Sequence, residues 1–155
     1  MTKLSLIIPT YREGGFDCLF GSLKNQTLKD YEVIVVDDLY EWRKKAVKKY
    51  AEKLDIPLVH LPPKQPMPDR PFGCCNALNT GFIVADGDYV LPSQDFMWFA
   101  PDCFQRHLNL QKSSGRVTVG IMHHYTSYPL GNLKGKITVF DHLHEEAPLL
   151  ERLEL

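Results

Sequence analysis

Two largely apolar runs constrain this chain most, Leu4-Ser5-Leu6-Ile7-Ile8 near the start and Val33-Ile34-Val35-Val36 further along. Neither run alternates apolar with polar residues, and both are rich in Ile or Val. Each therefore reads as a strand buried on both faces, as in a parallel sheet. Each also runs straight into polar groups, Pro9 to Glu13 after the first and Asp37-Asp38 after the second. Parallel sheets hold their ligands just beyond the carboxyl ends of the strands. Those two short segments are therefore where a ligand is expected.

Gly14-Gly15 interrupts the backbone after the first strand, and Phe16, Leu19, Phe20 and Leu23 then recur at i, i+3, i+4 and i+7. That spacing predicts an amphipathic helix ending near Asn25. A charged helix is predicted from about Glu41 to Leu54, followed by a short strand from Pro57 to His60. Its basic cluster, Arg43-Lys44-Lys45 with Lys48-Lys49, reads as a solvated face, with Trp42, Ala46 and Tyr50 turned inward. The order strand, helix, strand, helix, strand argues for an α/β sheet with right-handed crossovers.

Prolines at 62, 63, 66, 68 and 71 exclude regular helix and central strand from Leu61 to Phe72. A loop of this length inside a compact domain is uncommon and is often functional, although a plain surface connection has the same composition. Beyond it the pattern predicts a helix over Gly73 to Ala85, a strand over Asp88 to Leu91 and a helix over Pro101 to Lys112. Val117 to Ile121 and Lys136 to Phe140 are later strand candidates.

With 155 residues, the chain is long enough for one domain with a sizeable core. A net charge of -1 with scattered Lys and Arg gives no electrostatic footprint for nucleic acid. Cys18, Cys74, Cys75 and Cys103 have neither zinc-type nor disulfide-framework spacing. No stretch has the length of a membrane span, and no signal peptide is expected before the first strand. The expectation is a cytoplasmic protein with free thiols, with peripheral association at a membrane left open.

Four blocks of sequence, in order, resemble the family-2 glycosyltransferases of the GT-A fold, the nucleotide-diphospho-sugar transferases. They are Ser5-Leu6-Ile7-Ile8-Pro9-Thr10-Tyr11 with Ser22-Leu23 and Gln26-Thr27; Tyr31-Glu32-Val33-Ile34-Val35-Val36-Asp37-Asp38; Asn76-Ala77-Leu78-Asn79-Thr80-Gly81; and Ala85-Asp86-Gly87-Asp88-Tyr89-Val90-Leu91. The resemblance runs from Leu4 to about Phe104. It implies a single α/β domain, a Rossmann-like sandwich with a mainly parallel sheet. Residues 1 to about 100 would bind the sugar nucleotide, and about 101 to 155 would form an abbreviated acceptor side.

In the family, residues matching Pro9 and Tyr11, with Thr10 between them, lie at the nucleobase pocket, and the acid matching Asp38 bonds the base. A flat ring needs one wall and one hydrogen-bonding partner, which Tyr11 and Asp38 supply. Asp37 is a second candidate; both acids could instead cap the helix that follows. Asn79 matches a residue beneath the donor sugar and diphosphate. Arg70, the one guanidinium in the Pro-rich loop, is the candidate for the diphosphate, which a planar fork suits.

The family's acidic triplet, whose carboxylates hold a divalent metal, is thinned here to Gln94-Asp95-Phe96. Asp95 and the carbonyl oxygen of Gln94 are the candidate ligands for Mn²⁺ or Mg²⁺, which often keeps waters and few protein ligands. Without metal, the leaving diphosphate would need cationic side chains. An inverting transferase also needs a base for the acceptor hydroxyl. Asp141 and Glu145, with Glu146 beside them, are the only late carboxylates in a suggestive cluster, and an exposed acidic helix start would look the same. His123, His124, His142 and His144 could add a metal ligand if their segments meet.

The expected function is transfer of a sugar, with inversion, from a nucleoside diphosphate donor to an acceptor the sequence does not identify. The alternative is a nucleotide-sugar-binding or assembly module without turnover. An uncovered sheet edge and a missing acceptor wall would invite a partner chain or a second copy.

Overall fold

A computed structural model describes residues 4–12, 14–64 and 73–119. Their elements run β1 (Leu4–Thr10), α1 (Phe16–Lys24), β2 (Tyr31–Asp37), α2 (Tyr40–Leu54), β3 (Leu58–Leu61), α3 (Cys74–Val84), β4 (Tyr89–Pro92) and α4 (Cys103–Ser114). These residues fall into two compact units, one built from residues 4–12, 29–64 and 73–97, the other from 14–28 and 98–119.

The first unit holds the sheet. Its strands lie in the order β3-β2-β1-β4, and every pairing is parallel. This is the α/β architecture with a parallel sheet that the alternation of elements predicts. All of β1 is buried and β2 is buried except at Glu32, which is only partly covered, so the two apolar runs are indeed covered on both faces. Their register pairs Leu4 with Tyr31 and ends with Thr10 beside Asp37, which brings the polar ends of both strands to one level. Ile7, Ile34, Val36 and Ala77 form a core cluster, with Leu61, Leu78 and Ala85 packed against it.

Gly81 explains how closely α3 can lie on β1. A Cβ at this position would stand 2.3 Å from Ile7 Cγ2. The fourth sequence block makes the turn into β4: Ser5 Oγ donates to Glu32 Oε1 at 2.6 Å, while the amides of Asp86 and Gly87 donate to Glu32 Oε1 and Ser5 Oγ at 2.8 and 2.9 Å. β4 is an edge strand among the described residues, and Pro92, which has no N–H to give, ends it.

The second unit contains α1 and α4. Gln26 holds it together: its Nε2 donates to the Ala100 carbonyl at 2.8 Å, and its Oε1 accepts the Phe104 amide at 3.2 Å. The Thr27 amide donates to the Pro101 carbonyl at 2.7 Å, and the rings of Phe99 and Phe104 meet edge to face at 5.4 Å.

Several local expectations need correction. On α2 the buried residues are Arg43, Val47, Ala51 and Leu54, while Trp42 is 68% exposed and Ala46 is also outside. The inward face is thus one residue round from the expected one, and Arg43 leaves the basic surface cluster because a buried carboxylate receives it. α1 is buried from Asp17 to Leu23 rather than along one stripe. β4 and α4 begin one and two residues later than expected. Of the strand candidate Val117 to Ile121, residues 117–119 form no strand and Val117 and Val119 are exposed, while Gly120 and Ile121 lie outside the described residues. Lys136 to Phe140 lies outside the described residues. Among those residues, no helix is long and apolar enough to cross a membrane.

Candidate functional site

The carboxyl ends of β1 and β2 carry a connected set of charged and polar groups. Asp37, the last residue of β2, is fully buried, and protein donors meet both of its oxygens. Arg43 gives Nε to Oδ2 at 2.8 Å and Nη2 to Oδ1 at 2.7 Å; the Leu39 amide reaches Oδ1 at 2.9 Å, and His60 Nε2 lies 2.8 Å from Oδ2. Burial pushes the Asp37 carboxyl up, but the bonds from His60 and Arg43, with the charge of Arg43 and the Leu39 amide, hold it below its ordinary range. Asp37 is an anchor whose hydrogen-bonding capacity is spent inside the protein.

Asp38 is the opposite case. Its amide donates to the Thr10 carbonyl at 3.0 Å, one step past the last register pair, so Asp38 and Tyr11 leave adjacent strands together. Its carboxylate is exposed and takes the Gly73 amide at the start of α3. Burial of part of the group, then the charge of Asp37, raises its pKa despite that bond. Neither acid caps α2 from the N-cap position, which Leu39 occupies. Tyr11 is 41% exposed, enough to present a ring face.

Asp95 lies on the loop after β4 and belongs to the same set. Thr10 Oγ1 donates to its Oδ2 at 2.9 Å, Arg12 Nε donates to the same oxygen at 3.2 Å, and Arg12 Nη2 donates to Oδ1. Arg43 links the two carboxylates, since its Nη1 donates to the Arg12 carbonyl at 2.5 Å while its Nη2 also approaches Thr10 Oγ1 at 3.4 Å. The Arg12 guanidinium lies over the Phe96 ring, 4.4 Å from its centroid. Phe96 holds that ring from a left-handed backbone, φ 56°, where a bulky side chain is uncommon.

The structure therefore brings Pro9, Thr10, Tyr11, Asp37, Asp38 and Asp95 to one end of the sheet. Gln94 is exposed beside Asp95 and takes no part in these bonds. Asn79 is exposed on α3, whose buried residues are Ala77, Thr80 and Gly81. Arg70, Asp141, Glu145, Glu146 and the late histidines lie outside the described residues. Sequence reading missed Arg12, Arg43 and His60. Arg43 had a signal, because it stands four, eight and eleven residues before Val47, Ala51 and Leu54, on the apolar face of α2. Arg12 and His60 had none, since their partners are distant in sequence.

Among the described residues, no three of His, Cys, Asp and Glu gather in a way that would hold a metal ion. The sequence model described as Glycosyl transferase family 2 matches residues 5–150. No curated protein matches the chain.

Proposed function

The chain belongs to glycosyl transferase family 2, and we propose that it binds a nucleoside diphosphate sugar at the carboxyl ends of β1 and β2 and transfers the sugar, with inversion, to an acceptor hydroxyl. The observation that carries this reading is the pairing of Tyr11 with Asp38. One offers a half-exposed ring and the other an exposed carboxylate, on neighbouring strands held in step by the bond from the Asp38 amide to the Thr10 carbonyl. A nucleobase stacks on the first and donates an N–H to the second.

Asp37 serves this slot indirectly. With Arg43 and His60 it fixes the end of β2, so that Asp38 is presented without being consumed. In the transfer step, the acceptor oxygen forms a bond to the anomeric carbon as the bond to the diphosphate oxygen breaks, and the acceptor proton passes to a base. Asp141 and Glu145 are the proposed candidates for that base. Asn79 and Arg70 are proposed to meet the sugar and diphosphate.

A module that binds without turnover is the second reading, favoured by the capture of both Asp95 oxygens by Arg12 and Thr10. Incubation with a panel of UDP- and GDP-sugars, followed by mass spectrometry for released nucleoside diphosphate, separates the two. Release from at least one donor, by transfer or slow hydrolysis, supports the enzyme; binding with no release supports the module; neither binding nor release overturns both.

A further inference from the structure

Of the two candidate ligands for a divalent cation, exposed Gln94 offers only neutral oxygens, and the carboxylate of Asp95 is already taken. Both carboxylate oxygens are engaged by Arg12, and one also by Thr10. Phe96, next along the chain, offers only a ring, and no cluster of His, Cys, Asp and Glu stands nearby to complete a shell. A hard cation would first have to displace the guanidinium fork that engages both oxygens of this carboxylate. Among the described residues, the donor set does not fit the ion.

We propose that the guanidinium of Arg12 takes the role of that ion: it receives the donor's diphosphate directly, and this chain binds its nucleotide without metal. The inference rests on the nucleotide reading above for the identity of the ligand, but its geometry stands by itself. Arg12 spends Nε and one N–H of Nη2 on Asp95, and Nη1 has no partner among the described residues. The outward edge of the fork therefore keeps N–H bonds for a second anion. The Arg12 side chain is 49% exposed against 13% for Asp95, so a ligand can reach the guanidinium.

Three contacts hold Arg12 in place. Asp95 orients it from one side, the Phe96 ring lies beneath it, and Arg43 grips its backbone carbonyl. The left-handed backbone of Phe96 is strain of the kind proteins keep at ligand sites, and here it puts the ring under the cation. When the bond from the anomeric carbon to the diphosphate breaks, its electron pair stays on the diphosphate oxygen. Arg12 stays protonated throughout and stabilises that oxygen by hydrogen bonds and charge.

Inorganic pyrophosphate is the probe. It is titrated calorimetrically into the full chain in EDTA, for the wild type, Arg12→Gln and Arg12→Lys, with thermal melts confirming that the variants are folded. Binding of Mn²⁺ alone is followed by the electron paramagnetic resonance of the free ion. The expected result is pyrophosphate binding in EDTA, weakened at least tenfold by Arg12→Gln and less by Arg12→Lys, with no Mn²⁺ taken up by the wild type. Failure of pyrophosphate to bind in EDTA, indifference to Arg12→Gln, or Mn²⁺ uptake abolished by Asp95→Asn would each overturn the assignment. Nucleoside diphosphates added under the same conditions keep the two claims apart. If they bind no more tightly than pyrophosphate, the base slot is wrong and Arg12 stands; if they bind only with Mn²⁺, Arg12 is wrong and the base slot stands.

Discussion

Arg43 closes a two-pronged grip on Asp37, Nε to Oδ2 at 2.8 Å and Nη2 to Oδ1 at 2.7 Å, with both side chains out of solvent. This pair sits at the end of β2 and fixes the backbone from which Asp38 emerges. Removing one partner leaves the other charge buried without its counter-ion, which costs about 3–5 kcal/mol. Asp37→Asn and Arg43→Met should each lower stability by about that amount in urea unfolding, and the double variant should lose much less than the sum. A loss under about 0.5 kcal/mol in either single variant would show that the pair is not an anchor.

The same pair gives stability a pH dependence of known sign. Asp37 is held below its ordinary pKa in the folded chain, so its contribution is complete above the ordinary carboxylate range and fades as pH falls through the lowered folded value. Unfolding midpoints measured from neutral to acid pH should fall less steeply in Asp37→Asn than in the wild type. Parallel curves would contradict the assignment.

Gly81 is held to hydrogen by Ile7. An added Cβ at 2.3 Å from a fully buried side chain forces either the helix or the strand to move. Gly81→Ala should destabilise by about 1–3 kcal/mol, although alanine is the better helix former. Stabilisation in a thermal melt would mean that α3 is not so closely seated.

Asp38 must be ionised to accept a base N–H, and its pKa lies above the usual carboxylate range through burial and the charge of Asp37. Nucleotide affinity should therefore fall as pH drops through that raised value and level off above it. Calorimetry across this range checks the sign. Affinity that is flat with pH, or rises in acid, would remove Asp38 from the base contact.

Cys74 follows Gly73, whose amide Asp38 holds, and it feels the charge of Asp95. Cys74 and Cys75 are exposed, and Cys18 is buried with its thiol pushed up, chiefly by burial. Maleimide should label Cys74 and Cys75 in the native chain and reach Cys18 only after unfolding. The tightest-binding nucleoside diphosphate should slow labelling of Cys74. Unchanged labelling at saturating nucleotide would move the site elsewhere.

The buried strands, their parallel pairing and the residues at their carboxyl ends could all be read from the sequence, because an unbroken Ile/Val run has few other ways to be covered. What Asp37 and Asp38 each do could not be read. Adjacent identical acids differ only by which face of the strand end they leave from, and the difference is set by Arg43, His60 and Gly73. Arg43 itself was hidden in a basic cluster, since its ion pair with Asp37 reverses the usual preference of arginine for solvent. The thinning of the metal motif was visible at Gln94 and Phe96, but its counterpart was not. Arg12 is 83 residues from Asp95 in sequence, and only the pairing of β1 with β4 brings them together.

The most direct test of the central claim is calorimetric titration of UDP and GDP into the wild type and Asp38→Ala, both checked for native fold. At least one nucleotide should bind the wild type, and the variant should lose about 1.5–3 kcal/mol, roughly ten- to a hundred-fold in affinity, as expected for a hydrogen bond to a charged group. Equal affinity in the two proteins, or no binding of any nucleoside diphosphate to the wild type, would contradict a base slot at the ends of β1 and β2.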